Sequence, residues 1–325
     1  MNKTVAYLLK LGEPIPTGVR RVVRGEIGAA VRQLSGEGEA DRDKAIHEAR
    51  KGVKKIRGLL RLIRPGLGDV YEVENNHFRD IGRRLSQFRD AGAMLETFDA
   101  LREKYADELD GRKWAGIRRR LMARKALAEK LANIGEVLGN IAEALRQSAA
   151  RVDTWPLSRD GFRAIAPGLK ATFRGCQKAM ARARKHPRPE NYHEFRKRVK
   201  AHWYHVRLLE GLWNQEMRAY EKELKDLETA LGEDHNLVVL QEKIQGEPGY
   251  YVTEAETGDF IHLICKFQRN LREEALDLGE ELFADKPGHF TRRIKRLWDD
   301  WQSSVAGAKG NGRPKAAVSA PAQTV

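Results

Sequence analysis

With 325 residues, 41% of them hydrophobic, the chain is long enough for two domains or for one large duplicated one with a real core. A formal net charge of +14 favours a polyanionic partner (nucleic acid, an anionic membrane surface or polyphosphate) without choosing among them. Two widely separated cysteines, Cys176 and Cys265, exclude a disulfide framework, and no run approaches the ~18 apolar residues of a membrane span.

Residues 1–14 read as a loose lead-in whose short apolar run, broken by Lys10 and Glu13, makes a poor signal peptide, so a cytoplasmic location is expected. A helix should start at Pro16 and run to Leu34, with Arg20 and Arg24 one turn apart on it. After a Gly-rich loop, Asp41 is placed to cap a second helix that stops at Pro65-Gly66. Helical periodicity then predicts one long helix from Asp69 to Tyr105, buried through Phe78, Ile81, Leu85, Phe88, Gly92 and Leu95, and another from Lys113 to Arg146. Trp155-Pro156 marks a connection at 151–160. Beyond it come a helix over 164–185, carrying Arg174 and Lys178 one turn apart and closed by His186-Pro187-Arg188-Pro189, then one ending near Gly211, others over 214–245 and 254–283, and a short one from Pro287 to Trp301. No alternating run demands a sheet. The expected fold is all-α: two pseudo-twofold-related helical bundles, 1–150 and 151–302, from an internal duplication, followed by a disordered basic tail over 303–325. Both cysteines are expected in or near the core.

The duplication is read from a stretch that occurs twice. A shift of 146 positions carries His47, Glu48, Arg50, Lys51, Val53, Lys54 and Arg61-Leu62 onto His193, Glu194, Arg196, Lys197, Val199, Lys200 and Arg207-Leu208. On a helix turning about 100° per residue, His47, Arg50, Lys51, Lys54, Arg57 and Arg61 share one face, opposite Ala49, Val53, Ile56, Leu59, Leu60 and Ile63. In the second copy His193, Arg196, Lys197, Lys200, Tyr204 and Arg207 cluster likewise, opposite Phe195, Val199, Val206 and Leu209. A solvated helix face normally mixes signs, because like charges a turn apart repel. Two stripes of cations free of acids are therefore expected to await an anion.

The two stretches resemble the paired signature of the CHAD family, the conserved histidine α-helical domain. Leu85–Asp90 (LSQFRD), Leu231–Leu240 (LGEDHNLVVL) and Gly279–Phe290 (GEELFADKPGHF) are similar to further segments of that family, in the same order. The resemblance covers almost the whole chain. It implies an all-helical pseudo-twofold fold that binds inorganic polyphosphate on a central basic surface, and an association with polyphosphate granules.

The residue chemistry suits that ligand. Polyphosphate has no base to stack or read, so a receptor needs many cations on rigid walls, and helix stripes supply a ladder of them with a rise of about 5.4 Å per turn. Arginine grips two oxygens and lysine offers three rotatable donors. An imidazole beside phosphate is driven toward its charged form. The two stripes thus form the expected polyphosphate walls, with Arg89 and the pairs Arg20/Arg24 and Arg174/Lys178 as second-tier contacts, and His235, which the 146-residue shift places on Arg89, as a further candidate. His202 faces the apolar side and is expected to pack. Where the first copy has Lys55 and Arg57 the second has Ala201 and Trp203, so a lopsided site with a less charged second wall is expected. No zinc-protease or phosphate-loop motif occurs, no cofactor or metal is expected, and a non-enzymatic protein is inferred. The rival readings are a nucleic-acid binder, which has the charge but no reading motif, and a histidine-dependent phosphohydrolase.

Overall fold

Local capping and periodicity place most helix boundaries where the sequence puts them. In α1 (Ile15–Leu34), Pro16 sits in the first turn, where no amide donor is missed. In α2 (Arg42–Leu62) the Asp41 carboxylate accepts from the amides of Asp43 and Lys44 at 2.8 and 3.3 Å. A single turn, α3 (Arg64–Leu67), follows at Pro65. The remaining helices are α4 (Val70–Gln87), α5 (Asp90–Lys104), α6 (Ala115–Leu131), α7 (Ile134–Arg151), α8 (Phe162–Lys185), α9 (Pro189–Leu208), α10 (Gln215–Gln245), α11 (Glu254–Leu282) and α12 (Pro287–Gly310). Short 3₁₀ turns follow α7 and α9. The structure, a computed structural model, describes residues 7–38, 41–88, 90–105, 114–131, 133–247 and 254–310, and among these every regular element is helical.

Five expectations are corrected. The long helix expected over 69–105 is two, α4 and α5, with a break after Gln87. Ser86 bonds back to the Gly82 carbonyl at 2.8 Å, an interaction that bends helices, and the Phe88 amide turns to the Ser86 carbonyl. The helix expected over 113–146 is likewise two, α6 and α7, divided beside Asn133 and Gly135. The lead-in is not loose from Tyr7 onward: Tyr7 and Leu9 are buried, the Leu9 amide bonds the Leu208 carbonyl at 2.9 Å, and the Tyr7 hydroxyl donates to Lys55 O at 3.3 Å. The last helix continues past Trp301 to Gly310, so 303–310 are helical, and the rest of the expected tail, 311–325, lies outside the described residues. Of the two cysteines expected in or near the core, Cys176 is buried but Cys265 is exposed, on the side of α11 away from its buried residues Phe260, Ile264 and Phe267.

The helices that carry the two stripes meet at the centre. α2 packs on α1 and α4, α9 packs on α8 and α10, and α2 packs directly on α9. The approach is close because Gly58 has no side chain: a Cβ there would lie 3.2 Å from Tyr204 Cβ and Cδ2. Next to it, His205 Nε2 donates to the Gly58 carbonyl at 2.8 Å. A second close approach sets α8 on the end of α2, where a Cβ on Gly168 would fall 1.8 Å from Leu62 O. Farther out, α5 packs on α6 and α10, α11 on α10, and α12 on α8. The apolar faces expected for α2 and α9 are buried, from Ala49 through Ile63 and from Phe195 through Leu209, and join one continuous core.

Candidate functional site

The exposed sides of the α2 and α9 stripes open on a cavity of about 930 Å³, walled on its other sides by α5 and α10. From α2 come His47, Arg50, Lys51 and Lys54; from α9, Arg196, Lys200, Trp203, Tyr204 and Arg207. From α5 come Asp90, Glu96 and Lys104, and from α10 Glu221, Lys225, Glu228, Glu233, His235 and Asn236. Eight lysines and arginines thus face five carboxylates, so the lining is net positive but not the acid-free surface that the stripes alone suggest.

The central group is Lys54. Burial, with Arg50, Lys200 and Arg196 nearby, lowers its pKa to about 7, and it makes no ion pair among the described residues. Across from it Lys200 donates to Glu228 at 2.5 Å, Lys225 reaches the other oxygen of the same carboxylate at 2.8 Å, and Arg196 lies 3.9 Å away. On the α2 side Arg50 donates to Ser86 Oγ at 2.8 Å, and the more exposed Lys51 reaches Glu48 at 3.3 Å. Burial raises the Asp90 carboxyl, against a pull in the other direction from Arg50.

Histidines do not enter as a symmetric pair. His47 lines the cavity, whereas His193 lies behind His235, their ring centroids 4.2 Å apart. Burial, then Lys197 and Arg196, hold the His193 pKa below its ordinary value. Burial, then His193, Arg196 and Lys54, bring His235 down to about 4. Both are therefore neutral near pH 7 in the absence of an anion. His202 packs as expected, fully buried with Nε2 2.8 Å from the Tyr220 hydroxyl.

Each stripe is longer than the cavity. Arg57 donates to Asn75 at 3.2 Å and Arg61 lies against Tyr71, both outside the cavity lining. Lys51 and Arg207 share a lining, Gly58 meets Tyr204, and Arg61 feels the charges of Arg198 and Glu194. That order of approach is one of helices running in opposite directions, which places Arg57 beside the crossing, turned toward α4, and Arg61 past it. Lys197 is exposed and paired with Glu194. Tyr204 lines the cavity but is 4% exposed and serves mainly as the packing partner of Gly58.

The second-tier candidates do not converge on the cavity. Arg20 donates to Trp155 O at 2.8 Å, Arg24 pairs with Asp153, and Arg174 and Lys178 are exposed on α8. Each is ordinary helix-surface chemistry. Arg89 lies outside the described residues. The stripes did not point to Lys104, Lys225 and the five carboxylates. The only signal for the α10 group is that Glu221, Lys225 and Glu228 recur at one-turn spacing on a single helix face. Asp90 and Asn236, which the 146-residue shift superposes, both line the cavity. Among the described residues no group of three His, Cys, Asp or Glu is arranged for a metal ion, and no helix is long and apolar enough to cross a membrane.

A CHAD domain from the plant Ricinus communis has a similar fold, with a TM-score of 0.61, 18% identity, and coverage of 86% of this chain and 95% of that one. PptA from Streptomyces chartreusis is also similar, with a TM-score of 0.53, 15% identity, and coverage of 84% and 98%. At these identities the likeness is one of fold. No curated protein matches the sequence. The sequence profile of the CHAD domain matches residues 26–245, which takes in both cationic helices and all of α10, and the chain belongs to the CHAD domain family.

Proposed function

We propose that this protein binds inorganic polyphosphate in the cavity between α2, α5, α9 and α10, without turning it over. The observation that carries the reading is the convergence of Arg50, Lys51, Lys54, Arg196, Lys200 and Arg207 on one cavity from two different helices. A chain of phosphates can bridge the two walls, and an arriving anion restores the charge that burial has taken from Lys54. Membership of a family associated with polyphosphate binding supports the same ligand. We read the two walls as copies of one duplicated unit, because the 146-residue shift aligns their cations in place. Cytoplasmic localisation at polyphosphate granules follows as part of this proposal.

Nucleic acid is the weaker ligand. Single-strand binders stack bases on open aromatic faces. Trp203 is 8% exposed, donates to Glu221 at 2.7 Å, and lies against Lys225 and Arg207 at 4.9 and 5.5 Å. It offers no free face to a base.

The test is a titration with polyphosphates of graded length, repeated with Arg50→Glu and Arg196→Glu. Six engaged cations give a log–log salt slope of about −4 if the single-strand coefficient of roughly 0.7 per charge holds. Displacement of polyphosphate by single-stranded RNA at equal charge concentration overturns the ligand assignment. Sustained phosphate release in divalent metal, lost in His47→Ala or His193→Ala, overturns the non-enzymatic one.

A further inference from the structure

A receptor for a polyanion gains nothing directly from burying a carboxylate among its own cations, yet Glu228 is 4% exposed inside this cavity. Lys200 holds one of its oxygens and Lys225 the other, with Arg196 3.9 Å away. Burial alone would push the carboxyl up, but Lys200 and then Lys225 outweigh it and keep Glu228 below the usual carboxylate range. It therefore carries its charge at neutral pH. On the α2 side the 146-residue shift puts Gly82 in the corresponding place, and Lys54 has no carboxylate partner among the described residues.

On the reading of the cavity as a polyphosphate site, we propose that Glu228 is a built-in stand-in for the ligand, an internal anion that any polyanion must displace to engage the α9 wall. An incoming phosphate must take Lys200 and Arg196 from the carboxylate. Lys225 is on the same helix, three residues before Glu228, and stays with it, so the displaced carboxylate is never left without a cation. The exchange costs a short anion and a long chain the same, because effective concentration helps a chain held by Arg50, Lys51 and Lys54 to reach the wall without changing what leaves it. Glu228 thus lowers the affinity of every ligand that reaches the α9 cations and keeps those cations paired until one arrives.

The experiment compares dissociation constants for tripolyphosphate and for a chain of about one hundred phosphates, at one salt concentration, in the full chain and in Glu228→Gln. The inference predicts that the substitution tightens the long chain about tenfold and tripolyphosphate by no more than that. If Glu228 only holds Lys200 and Arg196 in position, the long chain weakens instead, which overturns it. Glu228→Asp keeps the buried charge but shortens its reach. Should the glutamine variant not fold, the aspartate variant must tighten the long chain by a smaller factor, and unchanged or weaker binding overturns the inference. A wild-type protein that binds neither ligand, or is indifferent to Arg50→Glu and Arg196→Glu, refutes the polyphosphate reading instead.

Discussion

The α2 and α9 walls carry the same cations at the same helical positions, and they are in different electrostatic states. On α9, Lys200 is clamped by the Glu228 carboxylate; on α2, Lys54 has no such partner and its pKa falls to about 7. The sequence suggested a less charged second wall for another reason, the replacement of Lys55 and Arg57 by Ala201 and Trp203. Neither substitution decides the matter. Lys55 points to the far side of α2, where it pairs with Glu26 at 2.8 Å, and Arg57 turns to Asn75 of α4, outside the cavity. What decides it is the neighbouring helix: α10 supplies a carboxylate and α4 does not. The charge state of a cationic stripe is thus a property of whatever packs beside it.

The largest expected effect reverses a charge on the wall that the carboxylate already balances. Arg196→Glu places a second acid beside Glu228 and should cost about a hundredfold in polyphosphate affinity, read by calorimetry at fixed salt. Arg50→Glu, on the wall without a clamp, should cost less, about tenfold, because its charge is opposed by Lys54 and not reinforced by Glu228. Equal losses would mean that the two walls are equivalent to the ligand.

Stability sharpens the same contrast with the sign reversed. Lys200→Met strips Glu228 of its shortest ion pair and should destabilise the free protein by about 2 kcal/mol, since breaking a buried pair leaves a charge behind. Lys54→Met removes an amine that is already largely desolvated and has no carboxylate to abandon, and should be neutral or stabilising by about 1 kcal/mol. Urea denaturation of the two variants at pH 8 decides it.

Much of this organisation can be read from residues alone, and the unread part has a common cause. The apolar and basic faces of α2 and α9, the Asp41 cap and the Pro65 stop are all local, set by contacts within one or two turns. The breaks after Gln87 and beside Asn133 were missed because apolar spacing continues through both, and only the Ser86 back-bond and the separated Asn133 and Gly135 interrupt it. Glu228 was missed for a different reason. Whether that face of α10 opens on a cavity depends on how α2 and α9, far apart in sequence, cross, and Gly58, with Tyr204 against it, fixes that crossing only once both are folded. The same holds for Arg57 and Arg61, whose place on the stripe is right and whose place outside the cavity is not visible in the spacing.

Proton linkage separates the walls at smaller amplitude. Lys54 goes from an ordinary 10.5 to about 7 on folding, so between those values the unfolded chain holds a proton that the folded one has released. Stability therefore rises with pH across that window, by at most about 1.4 kcal/mol per unit, and Lys54→Met removes this share of the slope. Polyphosphate pulls the proton back. At pH 8 binding should take up close to one proton, seen as a dependence of calorimetric heat on buffer ionisation enthalpy, and the uptake should vanish in Lys54→Met.

The smallest effect belongs to the imidazole pair. His235, at about 4, titrates below its ordinary 6.5, so the unfolded chain binds the proton first as the solution is acidified. Its contribution to the stability of the free protein is present above pH 6.5 and lost as pH falls toward 4. Polyphosphate should act in the opposite direction, since a phosphate at the cavity wall favours the imidazolium and its pull is felt by His193, 4.2 Å behind. Between pH 7 and 5.5, affinity should rise by about threefold, while the melting temperature without ligand falls. His235→Ala should flatten the rise in affinity and part of the acid loss in stability. If affinity still climbs on acidification in that variant, the proton is going elsewhere, with Lys54 at about 7 the first place to look, and the imidazole stack is only packing.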